Sequence, residues 1–216
     1  MIAQSVQYAL SHSAELLAAL GQHLELVGVA LGMGIVICVP LGVLTSRSRL
    51  ASATFINLFN ALRVIPSLAI LFLALPYFGL TFTSSAMALT VLALPPILIN
   101  TDVAFRTIDS AIHEVAYGLG MTSRQALWRV ELPLALPIIL AGIKTAMVEV
   151  IASATLAAFI GAGGLGLYIV RGFAMYDMSI LLVGAIPVTL LALLAEGLMN
   201  LIQKSVQAPT VSSAQL

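Results

Sequence analysis

"EVAYGLGMTSRQALWRVELP", residues 114–133, gathers Glu114, Arg124, Arg129 and Glu131 in a chain that is 61% hydrophobic and only 8% charged. Just before and within it, Ile112, Val115, Leu119 and Met121 fall at near-helical spacings with polar residues between them, so residues 107–127 are expected to be helical. Gly118 and Gly120 interrupt that pattern and permit a sharp turn. Thr122 or Ser123 can then cap a second short helix, with Gln125 three residues after Thr122 as in a capping box. Leu132-Pro133 is expected to close it, because the residue before a proline is pushed out of the α region. Helix, glycine turn, short amphipathic helix and stop make a compact knob, suited to a groove on another protein. A plain connection between helices is usually shorter.

Around the knob the chain is oil. Its mean hydropathy is +1.11, and continuous apolar runs of membrane-crossing length recur, which indicates an all-α polytopic membrane protein. Barrel strands instead show short alternating segments. The formal net charge of zero removes the electrostatic case for nucleic acid. The single cysteine, Cys38, cannot pair within the chain and reads as a core thiol.

Five spans are expected, over residues 24–46, 64–80, 85–101, 135–160 and 179–202. They form one membrane domain over 24–203, with the charged loop at about 102–133. Residues 1–23 lack Lys and Arg, so they lack the basic region of a secretory signal and read as an extracytoplasmic lead-in. Residues 204–216 form a cytoplasmic tail whose last ten, QAPTVSSAQL, are expected to be disordered. Gly28 and Gly32 make a GxxxG that would allow close helix contact.

Basic residues set the orientation. Arg47, Arg49 and Arg63 flank the first connection, Arg106, Arg124 and Arg129 lie in the third, and Lys204 follows the last span, against Arg171 alone on the other side. The N-terminus is therefore expected outside and the C-terminus and knob in the cytoplasm. Pro40, Pro66, Pro76, Pro95, Pro96, Pro137 and Pro187 fall in or near spans, and each frees a carbonyl that must find a partner in protein or in a water-lined cavity. Broken helices of this kind build sites and moving parts in transporters.

Glu114, Ala116 and Gly120, followed by Leu132-Pro133, resemble the "EAA" loop of permease subunits of bacterial ATP-binding-cassette importers. That pattern is Glu-Ala-Ala, three residues, Gly, nine residues, Ile-x-Leu-Pro; here Val115 and Val130 replace the second alanine and the isoleucine. The resemblance covers about residues 24–203. It implies the type I importer fold, of the MetI-like kind, with five core spans, in the bacterial inner membrane. It also implies that Glu114, Ala116, Gly118, Gly120, Met121, Thr122, Leu132 and Pro133 form the surface that couples to cytoplasmic ATPase subunits. Further partners implied are a second permease subunit, identical or not, and an extracytoplasmic solute-binding protein. ATP and Mg would sit on the ATPase subunits, with no cofactor in this chain. "TIDSAIHEVAYGLGMTSRQALWRVELPLALPIILAGIKTA" and "SATLAAFIGAGGLG" are most similar to permeases for osmoprotectants such as glycine betaine, choline and carnitine; the methionine permease is the alternative.

No catalytic constellation is expected. Ser-His-Asp and His-Glu-x-x-His arrangements are missing, His12, His23 and His113 are scattered and read as surface or interface residues, and no metal site or Walker A motif occurs. Gly-Ala-Gly-Gly-Leu-Gly at 161–166 lacks the Lys-Ser/Thr of a phosphate loop and reads as a flexible outer turn. Among charges inside spans, Lys144 is expected to snorkel and Glu196 to bond another helix. Glu149, with Ser153 one turn on, is a candidate pathway residue. Pro66, Ser67, Asn100 and Thr101 are further pathway candidates.

Overall fold

Each apolar run becomes a helix that ends where a polar, proline or glycine position interrupts it. A computed structural model describes residues 2–206, and no strand occurs among them. A short helix, α1 (Ile2–Ser11), stops where the Ser11 hydroxyl donates to the Tyr8 carbonyl at 2.9 Å. Helix α2 (Ser13–Ser46) then runs for 34 residues. The lead-in expected through residue 23 is thus two pieces, and most of its second half belongs to the first span's own helix.

The second expected span is not straight. Helices α3 (Arg49–Val64) and α4 (Ser67–Phe78) meet at a 94° bend. The cause is Pro66, which holds Ile65 extended at ψ 125. Helix α5 (Phe82–Arg106) lies at the centre, packed between α2 and α8 and touching α3 and α4. The loop helices α6 (Ser110–Gly118) and α7 (Ser123–Ala126) follow. A π-turn over Leu127–Glu131 leads into α8 (Leu132–Ala154), and a 3₁₀ turn over Leu156–Ile160 leads to α9 (Gly166–Ala174) and α10 (Met178–Val206).

Among the described residues, four helices are long and apolar enough to cross a membrane, or five if the bent pair is counted as one span. The fourth span ends at Ala154, earlier than expected. The fifth stays helical through residue 206, so the described part of the tail continues the span. The expected disordered stretch, 207–216, lies outside the described residues.

Close helix contact comes from other glycines than those predicted. A Cβ on Gly42 would stand 2.6 Å from Thr101 Cβ, and one on Gly142 would stand 2.6 Å from Asn100 Cβ. These two glycines let α2 and α8 press against α5. Gly28 and Gly32 have nothing within 4 Å, so their GxxxG makes no contact within the chain. Cys38 is fully buried, as a core thiol should be, and donates to the Leu94 carbonyl at 3.4 Å.

Candidate functional site

The knob is built from its caps inward. The Asp109 carboxylate accepts from the Ala111 N–H at 3.0 Å and starts α6. Gly120 closes the turn at φ +78, its N–H donating to the Tyr117 carbonyl at 2.9 Å. Both halves of the capping box are present: Gln125 N–H donates to Thr122 Oγ1 at 3.3 Å, and Thr122 N–H donates to Gln125 Oε1 at 2.9 Å. Ala116 is buried, while Glu114, Gly118, Gly120 and Thr122 are exposed and Met121 is half-buried. Ile112, Val115, Leu119, Met121 and Val130 surround an apolar groove of about 300 Å³ on the outside of the knob.

Leu132-Pro133 does not end the second helix. Ser123–Ala154 forms one continuous helical run through the π-turn. Pro133 falls in the first turn of α8, where a missing N–H is best tolerated, and the wider π-turn absorbs the change of hydrogen-bond spacing. The amphipathic end of the knob is therefore rigidly continuous with the fourth span.

Two buried carboxylates, to which the sequence patterns gave no anchoring role, hold this end of the molecule together. Glu131 is 2% exposed and ion-pairs with Arg47, at the end of α2. His113 Nδ1 of α6 lies 3.3 Å from the same carboxylate. Asp102 is completely buried on α5 and accepts from Thr45 Oγ1 at 2.8 Å and Ser52 Oγ at 2.7 Å. Arg106 donates to Ser52 Oγ at 2.6 Å and stands 3.8 Å from Asp102. The two clusters tie α2, α3, α5, the knob and the π-turn together.

A second feature lies at the 94° bend. Pro66, Ser67, Glu149 and Ser153, four of the six pathway candidates, line one open cavity of about 350 Å³. Arg63 lines it too, in the last turn of α3 beside Pro95. Pro95 stands roughly halfway along α5, so Arg63 is not at a cytoplasmic connection as expected but level with the middle of the bundle, exposed on the open cavity. Arg63 and Glu149 are within electrostatic reach of each other, yet no hydrogen bond or ion pair joins them. Pro95 and Pro96 have no N–H to offer the carbonyls of Val91 and Leu92, and both of those residues also line the cavity.

The other two candidates are elsewhere. Asn100 donates to the Pro96 carbonyl at 2.8 Å and packs on Gly142; Thr101 is fully buried, donates to the Ile97 carbonyl at 2.8 Å and packs on Gly42. Both belong to helix contacts, not to the cavity. Lys144 donates to Asn200 Oδ1 at 2.9 Å across to α10. Two further expectations change. Glu196 is exposed and bonds no other helix among the described residues. His23 is fully buried, with Nε2 3.2 Å from the Ile151 carbonyl, and is no surface residue. The turn at 161–166 is a built corner, with Gly161, Gly163 and Gly164 all at positive φ and the Gly164 N–H donating to Gln22 Oε1 at 3.1 Å.

Four or five apolar spans, a helical knob continuous with one of them and a polar cavity at a broken helix define a membrane transport component. A family model described as the binding-protein-dependent transport system inner membrane component matches residues 34–208. The chain belongs to that family. It is 36% identical over 203 residues to the glycine betaine/carnitine/choline transport system permease protein OpuCB of Bacillus subtilis, covering 94% of each chain. It is 43% identical over 175 residues to the carnitine transport permease protein OpuCB of Listeria monocytogenes, covering 81% of this chain and 80% of that one. The osmoprotectant import permease protein OsmW of Salmonella typhimurium is 37% identical over 204 residues, 92% of this chain and 95% of its own. Among solved structures, the inward-facing MetNI methionine transporter superposes with a TM-score of 0.82 at 23% identity, over 92% of this chain and 99% of that one. At that identity the likeness concerns the fold.

Proposed function

We propose that this chain is the membrane-spanning subunit of an ATP-driven importer for osmoprotectants: glycine betaine, choline, carnitine or related quaternary amines. What carries this is end-to-end similarity, at 36% identity over 94% of the chain, to a permease named for those solutes. Solute arrives from an extracytoplasmic binding protein and passes through a pair of permease subunits. The knob seats in cytoplasmic ATPase subunits, which hold ATP and Mg; this chain has no Walker A pattern with which to hold a nucleotide.

The geometry gives that division of labour a mechanical basis. The apolar groove and exposed face of α6 offer a docking surface, the π-turn joins the docked segment to α8, and Glu131 holds both against α2. A displacement of the knob is therefore felt directly by two spans. The methionine alternative rests on a fold likeness and on the glycine-rich corner, so it does not name a solute.

The test is purification with the genomically adjacent ATPase and binding protein, followed by solute-stimulated ATPase assays with glycine betaine, choline, carnitine and methionine. Stimulation by the quaternary amines is expected. Stimulation by methionine alone would reverse the assignment, and failure of any ATPase to co-purify would remove the coupling role.

A further inference from the structure

The cavity at the bend has two chemically opposite walls. One carries the Arg63 guanidinium and the start of α4, where Pro66 supplies no side-chain cap for the first N–H groups. A helix start with open N–H groups is an anion-binding element. The other wall carries the Glu149 carboxylate and the residues whose carbonyls Pro95 and Pro96 leave without a helical donor. Leu62, Ile70, Val91 and Ala152 supply apolar surface between the two.

Charges inside a membrane bundle are expensive and ordinarily pair or serve a pathway. Here an arginine and a glutamate line one cavity of about 350 Å³ and do not close on each other. The space is at the small end of the range for ligand pockets, about 300–1,000 Å³. It suits a compact body that bears both charges itself. A quaternary ammonium has no N–H to donate, so it needs a diffuse negative environment and apolar contact rather than aimed acceptors. The Glu149 wall offers both. A carboxylate needs donors, which Arg63 and the α4 start offer.

We propose that this cavity is a transit site for zwitterionic quaternary amines, with the carboxylate toward Arg63 and Ser67 and the ammonium toward Glu149. It rests on the osmoprotectant assignment and adds to it where, and by which residues, the permease itself handles solute. None of the lining residues is aromatic, so the site lacks the cation–π cage that makes capture tight. It holds solute loosely and lets it go, as a conduction step requires. Arg63 therefore discriminates: it serves glycine betaine and carnitine, which carry a carboxylate, and has no role for choline, which does not. Glu149 serves all three.

Uptake is measured in proteoliposomes holding the complete transporter, at saturating binding protein, per inserted complex. Arg63→Gln is expected to slow glycine betaine and carnitine about tenfold while choline slows by less than about threefold, and Arg63→Lys should restore the ratio. Glu149→Gln is expected to slow all three alike. Independently, Ser67→Cys in a Cys38→Ala background introduces a thiol at the cavity, and about 100 mM glycine betaine should slow its modification by a water-soluble reagent several-fold while sucrose does not. Equal loss of all solutes in Arg63→Gln would make the two charges a structural pair and overturn the proposal. So would unprotected labelling at Ser67→Cys, which decides the matter even where a charge variant fails to assemble. If the unaltered transporter takes up none of the three amines, the osmoprotectant assignment fails instead.

Discussion

Gly120 is the residue on which the knob turns. Its φ of +78 is open to glycine and uncomfortable for β-branched residues, and a Cβ there would meet nothing within 4 Å inside the chain. The cost of a side chain is therefore conformational within the subunit, about 1–2 kcal/mol for forcing the left-handed region. Asparagine tolerates that region better than valine. Uptake should fall in the order glycine, Gly120→Asn, Gly120→Val, with membrane abundance unchanged. Gly118 has ordinary φ and open space, so Gly118→Ala should transport near normally. If Gly118→Ala were as damaging as Gly120→Val, crowding against the ATPase rather than turn geometry would control the knob. Asp102 sits at the opposite extreme. Completely buried, it holds two hydroxyls and faces Arg106, so Asp102→Ala strands all three groups. A loss of about 3 kcal/mol is expected. It should appear as a lower melting temperature in detergent, and Asp102→Asn, whose amide oxygen still accepts, should lose less. Equal melting temperatures for the unaltered protein and Asp102→Ala would deny the cluster its anchoring part.

Elements are where sequence and structure part company in an instructive way. Caps, turn residues and the spans' hydrophobic runs act locally, so Thr122, Gln125, Gly120 and the four long apolar helices were legible. The relation of Glu149 to Ser153 was also legible, because one helical turn fixes it. Partnerships across elements were not: nothing in the stretch around Arg63 announces that α3 would carry it to the open cavity beside Pro95. The π-turn was equally hidden, since Leu132-Pro133 carries the usual signal for a helix end, and only the altered hydrogen-bond spacing before it lets the helix continue. That continuity makes Glu131 the fastening between the knob and α2. Arg47 is 47% exposed, so solvent weakens the pair, and about 1–3 kcal/mol is the expected cost of Glu131→Gln. A loosened knob opens its backbone to protease. Trypsin should cut at Arg124 and Arg129 faster in Glu131→Gln than in the unaltered protein, and solute-stimulated ATPase should drop relative to basal activity. Unchanged cleavage kinetics would show that the π-turn alone holds the knob.

At the scale of the whole molecule, the positions of the basic residues give the fold a direction. The chain has nine Lys and Arg. Arg47 follows α2, Arg49 begins α3, Arg106 ends α5, Arg124 and Arg129 lie in the knob, and Lys204 is in the last turn of α10. All of these gather at one end of the bundle, as the links from Arg47 to Glu131 and from Gln203 to the Pro137 carbonyl require. Arg171 alone marks the other end, beside Glu15 and Ala18 at the start of α2. Arg63, level with Pro95 on the open cavity, drops out of the count, and Lys144, within α8, was never part of it. Without Arg63, six basic residues remain at this end against Arg171 alone, so the asymmetry stands. Short basic connections stay in the cytoplasm. On that rule, and with the bent pair counted as one of five spans, we propose that the N-terminus lies outside and the knob and C-terminus inside. A reporter active only outside the cytoplasm should be active when fused after Thr83 or Asp177 and silent after Ser123. Activity after Ser123 would put the knob on the side where no ATPase subunit exists, and the coupling role would fall with the orientation.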